Sequence, residues 1–176
     1  MFWLKLVTNF IKILREGQTP AQVAGGFALG FILGLSPMFT LQGALVWLII
    51  LVLDVNLSAA TFSLGLFALI AYIFDPLFHR LGYFLLVDIN GLKGLWTTLY
   101  NAPIAPLTRF YNTVVMGSFI TALILFIPVY IGMKKFVITY RATLGVKVAQ
   151  WKIYQIIDRS SLVQWYKRVR SLGGVL

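Results

Sequence analysis

An unbroken apolar run from Val23 to Leu35, closed by Ser36-Pro37, constrains this fold more than any other stretch. As a helix its thirteen residues rise only about 20 Å, short of the roughly 30 Å of a bilayer's hydrocarbon core. The run therefore should not cross alone. The next one, Met38 to Leu53, is sixteen residues long and carries Thr40 and Gln42, so it is marginal too. Backbone polar groups freed at a turn cannot be left in lipid. The pair is best satisfied as a helical hairpin that enters and leaves on one side, its Ser36-Pro37 turn sheltered by protein.

Composition supports that reading. Of 176 residues, 60% are hydrophobic and 11% charged, with mean hydropathy +0.88, far from an ordinary soluble domain. The length suits one module of about three to five membrane segments. Cysteine is absent and His79 is the lone histidine, so disulfides, thiolate metal sites and histidine clusters are excluded, and neither metal nor cofactor is expected. The net charge of +10 sits beside apolar segments rather than on a polar nucleic-acid-binding motif. Anionic lipid headgroups are the expected partners, and nucleic acid is not.

The expected fold class is all-α: a polytopic membrane protein with short broken or re-entrant helices and amphipathic interfacial helices at both ends. Residues 1–18 place Phe2, Trp3, Leu6, Val7, Phe10, Ile11, Ile13 and Leu14 on one side of a helix, with Lys5, Lys12 and Arg15 on the other. Those charges argue against a cleavable signal peptide. The membrane domain spans 19–135. Within it, 19–53 forms the hairpin, opened by Thr19, Pro20 and Gln22 as a capping box. Residues 57–87 form a second broken helix, interrupted at Asp75-Pro76. Residues 88–112 form a loop with a short interfacial helix, and 113–133 the clearest crossing, stopped by Lys134 and Lys135. Residues 136–176 form a basic amphipathic tail. Positive charge at both ends places both termini in the cytoplasm and requires an even number of crossings.

Ser36-Pro37-Met38-Phe39 and Asp75-Pro76-Leu77-Phe78 share a pattern: a capping residue, a proline, an apolar residue and a phenylalanine. Both suit helix restarts, because proline fits the first position of a helix and Ser or Asp accepts its exposed amide protons. Facing each other, they would aim two helix N-termini at one cavity; near the surface, they would be ordinary capped turns. Gly26, Gly30 and Gly34 form GxxxGxxxG, a bare face for close packing, within the protomer against the adjacent segment or between subunits. Asp75, His79 and Arg80 fall within one and a half turns, where ionisable groups mark a pathway, a headgroup site, or simply a cap and a snorkelling arginine. Gln42 either lines a cavity or bonds backbone freed by Pro37. The tentative substrate- or lipid-binding set is therefore Ser36, Gln42, Asp75, His79 and Arg80. No GxSxG, HExxH or paired-carboxylate pattern occurs, and no catalytic residue is assigned.

The stretch GFALGFILGLSPMFTLQGALVWLIILVLDVNLSAA resembles a bacterial family of small Gly-rich inner-membrane proteins of unknown function. Its pattern is a Gly-rich helix ending in a proline turn, an apolar helix, an Asn-Leu turn and a second X-Pro break. Gly26, Gly30, Gly34, Pro37, Gln42, Asn56-Leu57 and Pro76 occupy that pattern, over about residues 21–87; Asp75 stands where the family more usually has Asn. The resemblance implies the bacterial inner membrane and an accessory role in envelope lipid or polysaccharide systems, without an activity.

The function expected is a non-enzymatic inner-membrane subunit of an envelope lipid-handling or transport assembly. Its Gly face and interfacial helices would organise lipid, a protein partner with a periplasmic domain, or a second copy. The alternative is an autonomous transporter or lipid translocase with its site at the two proline breaks. A lipid-modifying enzyme is the third.

Overall fold

A computed structural model describes residues 18–144, and within them every regular element is helical. The amphipathic helix expected over 1–18 and most of the tail expected over 136–176 lie outside the described residues. The chain divides into two compact units, Met1–Val137 and Ile138–Leu176. Among the described residues, the second holds the end of the last helix and a π-helical turn, Tyr140–Leu144.

Helix α1, Pro20–Leu35, starts as its sequence predicts. Thr19 Oγ1 accepts from the Gln22 amide, and Gln22 Oε1 accepts from the Thr19 amide, at 3.2 and 2.8 Å. Ser36 ends it, its amide and hydroxyl both donating to the Ile32 carbonyl. The expected restart at Pro37 is displaced: after a bend, helix α2 spans Leu41–Val52, and its cap is Thr40, not Ser36. Thr40 Oγ1 accepts from the Gly43 amide at 3.3 Å and donates to the Pro37 carbonyl at 2.9 Å, which closes the tip of the hairpin. Gln22 donates to Asp54, so the two feet of the hairpin meet.

Helix α3, Leu57–Tyr83, begins at Asn56, whose Oδ1 accepts from the Ala59 amide at 2.7 Å. The break expected at Asp75-Pro76 does not occur, and Asp75 caps nothing, because Pro76 lies inside the helix. Proline deletes one backbone bond from the ladder, and in apolar surroundings keeping the remaining ladder intact outweighs that loss. A π-helical turn, Phe84–Asp88, extends α3, and a 3-10 turn over Asn90–Leu92 leads into short helix α4, Lys93–Tyr100. Helix α4 lies within the segment 88–112, where a short helix was expected. Helix α5, Thr113–Thr139, runs past Lys134 and Lys135, which do not stop it, since lysine is a good helix former whose long stem lets its charge leave the helix surface.

Two glycine contacts organise the helices. A Cβ on Gly26, Gly30 or Gly34 would collide with backbone at Asn56, Ala60 or Leu64, so α1 lies parallel to the first half of α3 with the two main chains nearly touching. Packing is within the protomer, as one alternative held, but the partner is α3 rather than the adjacent segment. Phe31 and Phe67 seal this contact edge-to-face, with ring centroids 4.6 Å apart. In the second contact, a Cβ on Gly82 would overlap the Thr113 carbonyl and one on Gly117 the Phe78 carbonyl, which pins the start of α5 to the later part of α3.

Two stretches are long and apolar enough to cross a membrane, Leu57–Asp88 and Thr113–Thr143. Only 22% and 28% of their most apolar portions are buried inside the protein, unlike a soluble core helix. Leu69, Tyr72, Ile73, Ile124 and Ile127 are among the large side chains they expose. Such an exterior points to association with a membrane.

Candidate functional site: a groove along the hairpin and a cavity behind it

The loop between the two long helices returns to the hairpin through residues 105–111. A 3-10 turn, Ala105–Thr108, ends at Arg109, which has left-handed backbone angles, φ 55 and ψ 28. A non-glycine residue held there costs about 1–2 kcal/mol. The hydrogen bonds from the Arg109 amide to the Pro106 carbonyl, 2.9 Å, and from the Asn112 amide to the Arg109 carbonyl, 3.0 Å, keep it in place. Asn112 then caps α5 through bonds from the Val114 and Val115 amides.

This strap separates two spaces. Pro106, Leu107, Arg109 and Tyr111 line an open groove of about 900 Å3, whose other wall is Met38, Phe39 and the outward residues of α2, including Ala44, Trp47, Leu48 and Leu51. The groove is largely apolar, and Arg109 is the one cationic side chain among its lining residues. Behind the strap, Thr108 and Phe110 face a cavity of about 270 Å3 together with Gln42, Trp96 and four residues of α5. Trp96 is anchored by its indole N–H, which donates to the Leu85 carbonyl at 3.0 Å, and its ring lies 5.8 Å from that of Phe110.

The residues singled out from sequence are distributed among several places. Ser36, Pro37 and Asp75 do converge, on a third cavity of about 290 Å3 shared with Tyr72 and Val114. Two restarting helix N-termini do not, since Ser36 ends a helix and Asp75 sits within one. Gln42 belongs to the cavity behind the strap instead. His79 Nδ1 is hydrogen-bonded to Thr113 Oγ1 at 2.6 Å, beside the Gly82 contact, which makes it a brace between α3 and α5. Arg80 is exposed and outside the Asp75 cavity. Gly26, Gly30 and Gly34 are covered by α3, so that face is occupied. Arg109 and Tyr111 were not singled out, and Phe39 was named only within the proline motif. The signal available for Arg109 and Tyr111 was PLTRFY, a cation set between a proline and two aromatic residues.

A sequence model of the family described as "Uncharacterized protein conserved in bacteria (DUF2062)" matches residues 5–143. A protein of Treponema pallidum (strain Nichols), itself described as uncharacterized, is 26% identical over 159 residues, which cover 90% of this chain and 98% of that one. No solved structure matches.

Proposed function

This chain belongs to the DUF2062 family, and from that premise we propose that it is a non-enzymatic subunit of an envelope lipid-handling or transport assembly in the bacterial inner membrane, where it holds an anionic lipid. The observation that carries the reading is the groove: an apolar wall along α2 suited to an acyl chain, with the Arg109 guanidinium on the facing strap as the cation for a phosphate or carboxylate. Two crossings by the long helices would return the chain to its starting side, as two cytoplasmic termini require. Arg109 then belongs to the opposite, periplasmic face, and the hairpin is re-entrant. With the Gly face covered, a protein partner or second copy would meet other surfaces.

Native mass spectrometry of the full chain, extracted with its lipids in mild detergent, tests this. An anionic phospholipid should co-purify, and Arg109→Gln should weaken its retention by about fivefold, the effect of one cation near a headgroup. Equal retention by both proteins overturns the assignment. A stoichiometric protein recovered in the same extract supports the subunit role.

The cavity shared by Ser36, Pro37 and Asp75 favours a second reading, an autonomous transporter or translocase. It requires Asp75→Asn to change lipid or solute flux in proteoliposomes without altering folding; unchanged flux removes it.

A further inference from the structure

The cavity behind the strap shares no lining residue with the groove, so it can be considered separately. Gln42 is 8% exposed, lines this cavity, and its carbonyl oxygen is buried without a hydrogen-bond partner. A buried acceptor left unsatisfied carries its full desolvation penalty, so a turn of the amide that brings it to a donor in the cavity is favoured. The terminal torsion of glutamine is soft, and turning it presents either the oxygen or the amide nitrogen to the space.

Three observations define the occupant. Water needs about two to four polar partners. Here the one hydroxyl on the wall, Thr108 Oγ1, is already engaged: it donates to the Ala105 carbonyl and accepts from the Phe110 amide. Water would find Gln42 and little else. No charged side chain lines the cavity, so an ionised group would be desolvated without a counter-charge. The remaining wall, made largely by Trp96, Phe110, Val115, Met116, Phe119 and Ile120, is apolar. At about 270 Å3 the space falls just below the range of ligand pockets, about 300 to 1,000 Å3, and so suits the end of a chain rather than a whole lipid.

We propose that this cavity binds the hydroxyl-bearing end of an uncharged lipid, with Gln42 as its hydrogen-bonding partner. A hydroxyl both donates and accepts, so it matches the Gln42 amide in either orientation, while adjoining methylenes fill the apolar wall. No covalent step is involved.

The test uses the full chain in phosphatidylcholine bilayers and a pair of photoactivatable probes, a long-chain alcohol and the alkane of equal length lacking the hydroxyl. Labelling is mapped by mass spectrometry to Trp96, Met116 and Phe119. The alcohol should saturate these residues at about tenfold lower concentration than the alkane, the worth of one well-made buried hydrogen bond. Gln42→Leu, which replaces the amide by an apolar group of similar size, should erase that difference. Ile120→Phe, which fills the space, should reduce labelling by both probes. Excess diacylglycerol should compete with the alcohol and glycerol should not, which separates a lipid hydroxyl from a soluble one. Equal saturation by the two probes in the unmodified protein, a preference that survives Gln42→Leu, or competition by glycerol overturns the proposal.

Discussion

Helices α1 and α2 form the two arms of one hairpin and are both short and apolar, yet they have opposite fates. Along α1, the residues from Ala28 to Leu35 are all buried. Along α2, only Gln42, Gly43, Val46 and Ile50 are buried, while Leu45, Leu48, Leu51 and Val52 are exposed. Hydrophobicity does not separate the two arms; backbone access does. The glycines of α1 let its main chain approach that of α3, and an approach this close surrounds the helix with protein. The bulky residues of α2 hold it off and leave it as the wall of a groove.

Substitution at Gly30 attacks that difference most directly. Gly30→Leu would drive a side chain into the Ala60 backbone, and neither helix can yield locally because the contacts at Gly26 and Gly34 hold both. A loss of about 4 kcal/mol or more is expected, read as absence of a monodisperse peak in detergent and a collapsed melting temperature. A well-folded Gly30→Leu protein would mean that α1 is not locked to α3. A smaller effect is expected from Asn56→Ala, which removes the cap of α3 beside the feet of the hairpin. That should cost about 1 kcal/mol in thermal or denaturant unfolding, while leaving the hairpin assembled.

Gly65, also on α3, provides the internal control. A Cβ there meets nothing within 4 Å, so Gly65→Ala should be neutral or stabilising by up to about 1 kcal/mol. A strong loss would show that this face is covered by a partner. The smallest perturbation probes the two arms themselves. Single cysteines at Val52 and Ala24 in this cysteine-free chain should differ in modification by a membrane-soluble maleimide, the first reacting readily and the second hardly at all. Similar reactivity would place both arms in the same environment.

Much of the architecture was legible because it rests on local chemistry. The capping box at Thr19 and Gln22, the Asn56 turn, and the loop rich in Gly and Pro between two long apolar runs all act over a few residues. The Asp75-Pro76 break was misread for the same reason: the proline is local, but its tolerance depends on the long helix around it. The site was less legible. Ser36 and Asp75 meet although far apart in sequence, whereas Gln42, which lies near Ser36, points to another cavity. Gly82 and Gly117 carry no motif, since each packs against a different helix from its own.

By itself, the sequence determined that the chain is helical, where the capped starts at Thr19 and Asn56 lie, and that its long segments are too apolar for water, because capping, periodicity and hydropathy are properties of neighbouring residues. Only the tertiary structure decided which arm of the hairpin is core and which is groove. It also decided that Arg109, on the strap, lines the groove while Gln42 lines the cavity behind it. Those outcomes depend on which backbone a glycine face meets, and that is fixed by packing between segments distant in the chain.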